Sequence, residues 1–94
     1  MLNELFETIL DRQKNPQPSS YTNQLLDGPV DRILQKVGEE SVEVILAAKG
    51  QGDQRLVEEV SDLFYHTLVL LARQGLRLAD VEAELRRRHA AKST

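Results

Sequence analysis

A chain of 94 residues forms one domain near the lower end of the size range that folds around a single core. Its composition, 40% hydrophobic and 29% charged, is that of a globular protein, and the absence of cysteine excludes disulfide scaffolds, thiolate metal sites and thiol nucleophiles. A net charge of −3 gives no general attraction to nucleic acid or to anionic membranes, so neither is expected as a partner.

Apolar residues recur at helical spacing along most of the chain, and no stretch alternates as a strand would. Leu2, Leu5, Phe6, Ile9 and Leu10 predict a first amphipathic helix over about residues 2–14. Two prolines and two serines in Asn15-Pro16-Gln17-Pro18-Ser19-Ser20 end it in a loop. Residues 21–28 carry a weaker signal, a short helical turn around Leu25 and Leu26, and Tyr21 and Thr22 are placed in the connecting loop. Asp27-Gly28-Pro29 starts the next helix, with Pro29 in its first turn. Val30, Ile33, Leu34, Val37, Val44, Ile45 and Ala48 carry that helix to about Lys49. Gly50-Gln51-Gly52-Asp53 breaks it, with Asp53 as the expected N-cap of the following helix. This next helix runs to about Gly75. A last one begins near Leu78 or Asp80, carries Val81 and Leu85, and ends in the basic stretch Arg86-Arg87-Arg88-His89 and a polar tail.

The expected fold is therefore all-α, a bundle of four to five helices making one domain over residues 1–94. From Leu63 to Ala72 hardly a polar face remains, and a helix apolar on all sides has to be covered on all sides. So short a chain cannot supply that cover alone, which predicts an oligomer that completes the bundle. The same run is interrupted by His66 and is far shorter than the roughly 20 residues of a membrane span. Met1-Leu2-Asn3-Glu4 lacks the features of a signal peptide, so a cytoplasmic location is expected.

Chemistry concentrates in two acidic motifs. Glu39, Glu40 and Glu43 form Glu-Glu-x-x-Glu on one helix, and Glu59 and Asp62 form Glu-x-x-Asp on the next. Spacings of three and four residues put the members of each motif on neighbouring surface positions. If the two helices fold back antiparallel about the Gly50–Gly52 break, Glu43 lies level with Glu59, Glu40 with Asp62, and Lys36 with His66. Carboxylates brought that close do not all stay ionised without compensation. A hard divalent cation supplies it, and oxygen-only ligands favour magnesium or manganese over zinc. The plainer reading is that these are solvated helix faces. Against it, Asp62 directly precedes the most apolar segment of the chain. Gly38 also interrupts a helical pattern at a cost of about 1 kcal/mol relative to Ala, as if a close backbone approach were needed beside Glu39.

Lys36-Val37-Gly38-Glu39-Glu40-Ser41-Val42-Glu43 and Glu59-Val60-Ser61-Asp62-Leu63-Phe64-Tyr65-His66, with Ser20-Tyr21-Thr22 upstream, closely resemble the phosphoribosyl-ATP pyrophosphatases of histidine biosynthesis. The similarity covers about residues 2–88. The acidic motifs alone are shared with the wider all-α nucleoside triphosphate pyrophosphatases, including MazG-like house-cleaning enzymes. The surrounding residues favour the histidine-pathway branch. The resemblance implies hydrolysis of phosphoribosyl-ATP to phosphoribosyl-AMP and pyrophosphate by a magnesium-dependent homodimer or larger homo-oligomer, manganese being a possible substitute.

On this resemblance Glu40, Glu43, Glu59 and Asp62 are the expected metal ligands, with Glu39 orienting or deprotonating the attacking water. Lys36, and Arg32 one turn earlier, are candidates for phosphate contact, Lys36 alternatively pairing with Glu39 or Glu40. Tyr21 and Thr22 are candidates for substrate contact or for a turn or cap. His66 is either a substrate contact or a hydrogen-bonded core residue. Arg86, Arg87 and Arg88 complement the helix end or reach phosphate across a dimer. No glycine-rich phosphate loop is present, so phosphate binding falls to metal and cationic side chains. A non-catalytic helical interaction module is the reading from another class.

Overall fold

The computed structural model describes residues 1–91 and is all-helical over them. Five helices follow in order: α1 (Leu2–Lys14), α2 (Tyr21–Asp27), α3 (Val30–Gly50), α4 (Asp53–Arg73) and α5 (Leu78–Ala91). The last residues of the expected polar tail, 92–94, lie outside the described ones.

Helix α1 buries Phe6 and Ile9, three residues apart on one face, and ends where the Pro16 and Pro18 loop begins. The segment that gave only a weak sequence signal is a true helix, and Tyr21 and Thr22 are its first two residues rather than loop. Seven residues are too few to show a period, so α2 is set by its ends. Ser20 caps it, its hydroxyl accepting from the Asn23 amide at 3.3 Å. Asn23 is buried and bonded at both ends of its side-chain amide: Nδ2 donates to the Arg12 carbonyl at 2.8 Å, and Oδ1 accepts from the Gln17 backbone amide at 2.8 Å. At the other end, the Arg73 guanidinium donates to the carbonyls of Leu26, at 3.2 Å, and Gly28, at 2.6 Å, which α2 leaves unpaired.

Pro29 stands just before α3 as its N-cap instead of inside the first turn. Asp53 is likewise the first residue of α4 and not its cap. The cap is Gly52, whose φ of 91° lies in the left-handed region that side-chain-bearing residues avoid. That glycine lets α3 and α4 fold into a hairpin of two 21-residue helices. Gly75, with φ 75°, closes α4 in a Schellman arrangement: its amide donates to Ala72 and the Leu76 amide to Leu71.

The core gathers Phe6, Ile9, Leu25, Leu26, Ile33, Leu68, Val69 and Ala72 at the end of the hairpin where α1 and α2 pack. Leu25, Ile33 and Val69 are completely enclosed, each contributing about 1.5–3 kcal/mol by leaving water. Beyond this core the hairpin is uncovered. Leu34, Val42, Ile45 and Leu46 on α3, and Val57 and Phe64 on α4, face solvent in the isolated chain, and α5 buries none of its residues. The Cα radius of gyration, 14.8 Å, exceeds the roughly 12 Å of a compact chain of this length. Gly38 is also exposed, and a Cβ there would meet nothing within 4 Å, so no close backbone approach within the chain requires it. It falls instead on the exposed Leu34–Val42 stripe, four residues from each. No described helix is long and apolar enough to cross a membrane.

Candidate metal and phosphate site

The hairpin register brings the two acidic motifs face to face. Carboxylate oxygens of Glu40, Glu59 and Asp62 lie within 4.8 Å of one another. Opposite donors of an octahedral magnesium stand roughly 4 Å apart, so small side-chain rotations make one hard cation accessible to all three. The donor set is oxygen only, which fits magnesium or manganese. Glu40 and Glu59 are largely buried, at 12% and 7% side-chain exposure, whereas Asp62 opens to solvent. A cation placed there would have two shielded ligands and one at the mouth.

The electrostatics bear the marks of crowding. Burial pushes the Glu59 carboxyl above its ordinary pKa; Arg55 opposes the shift, while Asp62, Glu40 and Glu43 add to it. Glu59 is paired with Arg55 at 2.7 Å, and the same guanidinium contacts Glu58 at 2.9 Å. Arg55 was not apparent from the sequence as a site residue. The available signal was its position three residues before Glu58 and four before Glu59, which places all three on one face.

The remaining expected residues divide between the centre and its rim. Glu43 is half-buried one turn beyond Glu40 and outside the group of three, although its charge reaches both Glu59 and Arg55. Glu39 turns to the solvent side. It accepts from Gln35 at 2.9 Å and pairs with Lys36 at 3.4 Å, contacts that hold its carboxyl below the ordinary range. Lys36 bridges Glu39 and, at 3.8 Å, Glu40, so its salt-bridge alternative is realised in the isolated chain. Partial desolvation works against its ammonium, but the nearby Tyr21 oxygen and the two carboxylates outweigh it and raise its pKa. Arg32 is exposed one turn earlier and has no ion-pair partner among the described residues. Arg86, Arg87 and Arg88 pair within α5, with Glu82 and Glu84.

His66 takes the hydrogen-bonded alternative. It is buried, with Nδ1 2.8 Å from the Asp62 carbonyl and Nε2 3.0 Å from the Tyr21 hydroxyl. A carbonyl only accepts, so Nδ1 carries the proton in the neutral ring and Tyr21 donates to Nε2. The start of α2 is thereby tied to the backbone of Asp62. Thr22 is bound in the same way to the Tyr65 hydroxyl, and the rings of Tyr21 and Tyr65 stack with centroids 6.3 Å apart. The result is an aromatic wall beside the acidic groove. A separate surface recess of about 570 Å³, lined by Glu7, Leu10, Asp11, Gln13, Lys14 and Arg77, lies away from this chemistry.

The all-helical chain and the carboxylates that face each other across one hairpin agree with the resemblance to the all-α nucleotide pyrophosphatases. Comparison with known proteins narrows it. The family model described as phosphoribosyl-ATP pyrophosphohydrolase matches residues 2–89, and the chain belongs to that family. A phosphoribosyl-ATP pyrophosphatase of Listeria monocytogenes is 52% identical over 94 residues, covering all of this chain and 90% of the relative. One from Clostridium acetobutylicum is 46% identical over 89 residues, 95% of this chain and 81% of the relative. A histidine biosynthesis bifunctional protein of Caldanaerobacter subterraneus is 47% identical over 89 residues, where this chain matches 43% of the longer protein.

Asp62 is exposed and crowds other carboxylates, which yields a signed prediction. In metal-free buffer, Asp62→Asn should leave thermal stability unchanged or raise it by a few tenths of a kcal/mol as like-charge repulsion is relieved. Differential scanning calorimetry checks this. A loss of more than about 1 kcal/mol would mark Asp62 as a structural residue instead of a cation ligand.

Proposed function

We propose that the protein hydrolyses phosphoribosyl-ATP to phosphoribosyl-AMP and pyrophosphate, the second step of histidine biosynthesis, with magnesium held by Glu40, Glu59 and Asp62. The observation that supports this most is the convergence of those three carboxylates in a chain matched by the family over residues 2–89. Glu43 extends the acidic wall and joins the ligand set directly or through water. Held there, magnesium, or manganese in its place, would supply positive charge to the triphosphate and make a water easier to deprotonate. Glu39, kept ionised by Gln35 and Lys36, is the group that orients or deprotonates the attacking water as the bond between the α and β phosphates breaks. Lys36 and Arg32 supply positive charge along the same face. Tyr21 is half-exposed with its proton committed to His66, so its outward lone pairs accept from substrate. His66 and Thr22 act by holding α2 in place. Cytoplasmic residence is part of the same proposal.

The reaction unit is a homodimer or a larger homo-oligomer. Leu34, Val42, Ile45, Leu46, Val57 and Phe64 are exposed apolar side chains on the two hairpin helices, and a second copy packed on the hairpin would take them out of water. Sedimentation at micromolar concentration should give at least twice the chain mass, and Ile45→Glu should shift it toward monomer. A monomeric wild-type protein would refute the assembly.

The activity is tested with a substrate panel. Pyrophosphate release should be fastest from phosphoribosyl-ATP, should require magnesium or manganese, and should fall at least 100-fold for Glu40→Gln, a loss on the scale of one transition-state charge contact. Preference for ordinary or modified nucleoside triphosphates would instead assign the chain to the MazG-like house-cleaning activity. No turnover on any of them would favour a helical interaction module.

A further inference from the structure

Glu59 is the most enclosed carboxylate of the acidic centre, and its one ion-pair partner among the described residues is Arg55. The guanidinium is forked, with one nitrogen on Glu59 at 2.7 Å and the other on Glu58 at 2.9 Å. Glu58 is exposed and lies outside the group of converging carboxylates. Arg55 therefore spans a buried carboxylate that belongs to the centre and a solvent-facing one that does not. A guanidinium is too large and flat to reach Glu40 and Asp62 as well, whereas a small dication sits about 2 Å from each of several oxygens and brings twice the charge.

We propose that Arg55 is the resident counter-cation of the acidic centre: it neutralises Glu59 in the metal-free protein, yields that carboxylate to the incoming divalent cation, and stays anchored through Glu58. The proposal rests on the reading of Glu40, Glu59 and Asp62 as the cation site. Loss of the Glu59 contact leaves half of the guanidinium fork unpartnered, one helical turn from Glu59. That freed half is suited to a phosphate oxygen, which Arg binds well in a two-pronged geometry. Metal and arginine thus compete for Glu59, while arginine and the metal-bound polyphosphate cooperate.

These relations have opposite signs, and Arg55→Gln separates them. Manganese binding to the substrate-free protein, followed by electron paramagnetic resonance, should tighten roughly tenfold in Arg55→Gln. This is the scale for one unit charge facing a dication at about 5 Å in a water-like dielectric. Arg55→Lys, which keeps the charge and loses the fork, should fall between, and Arg12→Gln on α1 should change affinity less than twofold. Inorganic pyrophosphate binding to the manganese-loaded protein should weaken in Arg55→Gln. In the wild type, nitrogen-15 NMR of the Arg55 guanidinium should show slow rotation without metal and faster rotation at saturating magnesium. Manganese affinity unchanged within twofold in Arg55→Gln, or guanidinium signals that magnesium does not move, would overturn the exchange while leaving the cation site standing. A wild type that binds no manganese would overturn both.

Discussion

The structure is organised around a cost. Two carboxylates, Glu40 and Glu59, are taken largely out of water between α3 and α4, with Asp62 and Glu43 close by. Desolvated like charges favour protonation or separation unless something positive stands among them. In the isolated chain, Lys36 and Arg55 do this from opposite ends of the groove, each from a position four residues before the carboxylate it steadies. Neither bridges all three converging groups. A small dication of the kind proposed above would reach all three.

The rest of the molecule holds the hairpin and its register. Gly52 makes the reversal sharp enough for Glu40 and Asp62 to meet, and the Schellman closure at Gly75 ends α4 before the chain turns away. Helices α1 and α2 supply none of the three converging carboxylates; they pack on the adjoining core. The link from that core to the centre is the Tyr21–His66–Asp62 chain of hydrogen bonds, which fixes the ring tautomer and sets the aromatic wall against the groove. Burial elsewhere serves the same end. Asn23 and Arg73 consume the loose backbone groups at either side of α2, so a seven-residue helix persists where propensity alone would not sustain one.

Much of this was legible in the sequence because helical period and motif spacing are local. The boundaries of α1, α3 and α4 follow from apolar periodicity, and the meeting of Glu40 with Asp62 follows from two motifs placed about a glycine-rich break. The same register set Glu43 level with Glu59, but it is Glu40 that joins Glu59 and Asp62 in the group of three. What escaped was decided by contacts distant in sequence or by individual backbone groups. Helix α2 depends on Ser20, Asn23 and Arg73, the last nearly fifty residues away. Asp53 looked like a cap because its residue type favours one, but the left-handed Gly52 took the position. Arg55 escaped because basic residues near acidic ones on a helix are ordinary. Its importance comes from Glu59 being buried, which no spacing reveals. Gly38 misled for a related reason: its neighbours within the chain leave it open, and its place on an exposed apolar stripe is visible only in three dimensions.

We propose that a hard cation binds at the middle of the hairpin, between α3 and α4. Paramagnetic broadening of backbone amide resonances by substoichiometric manganese tests it most directly. Broadening is expected to centre on Glu40, Glu59 and Asp62 and to fade along α3 and α4 in both directions, leaving α1 largely sharp. Broadening centred on the exposed acidic faces of α1 or α5, or none anywhere at millimolar manganese, would contradict it.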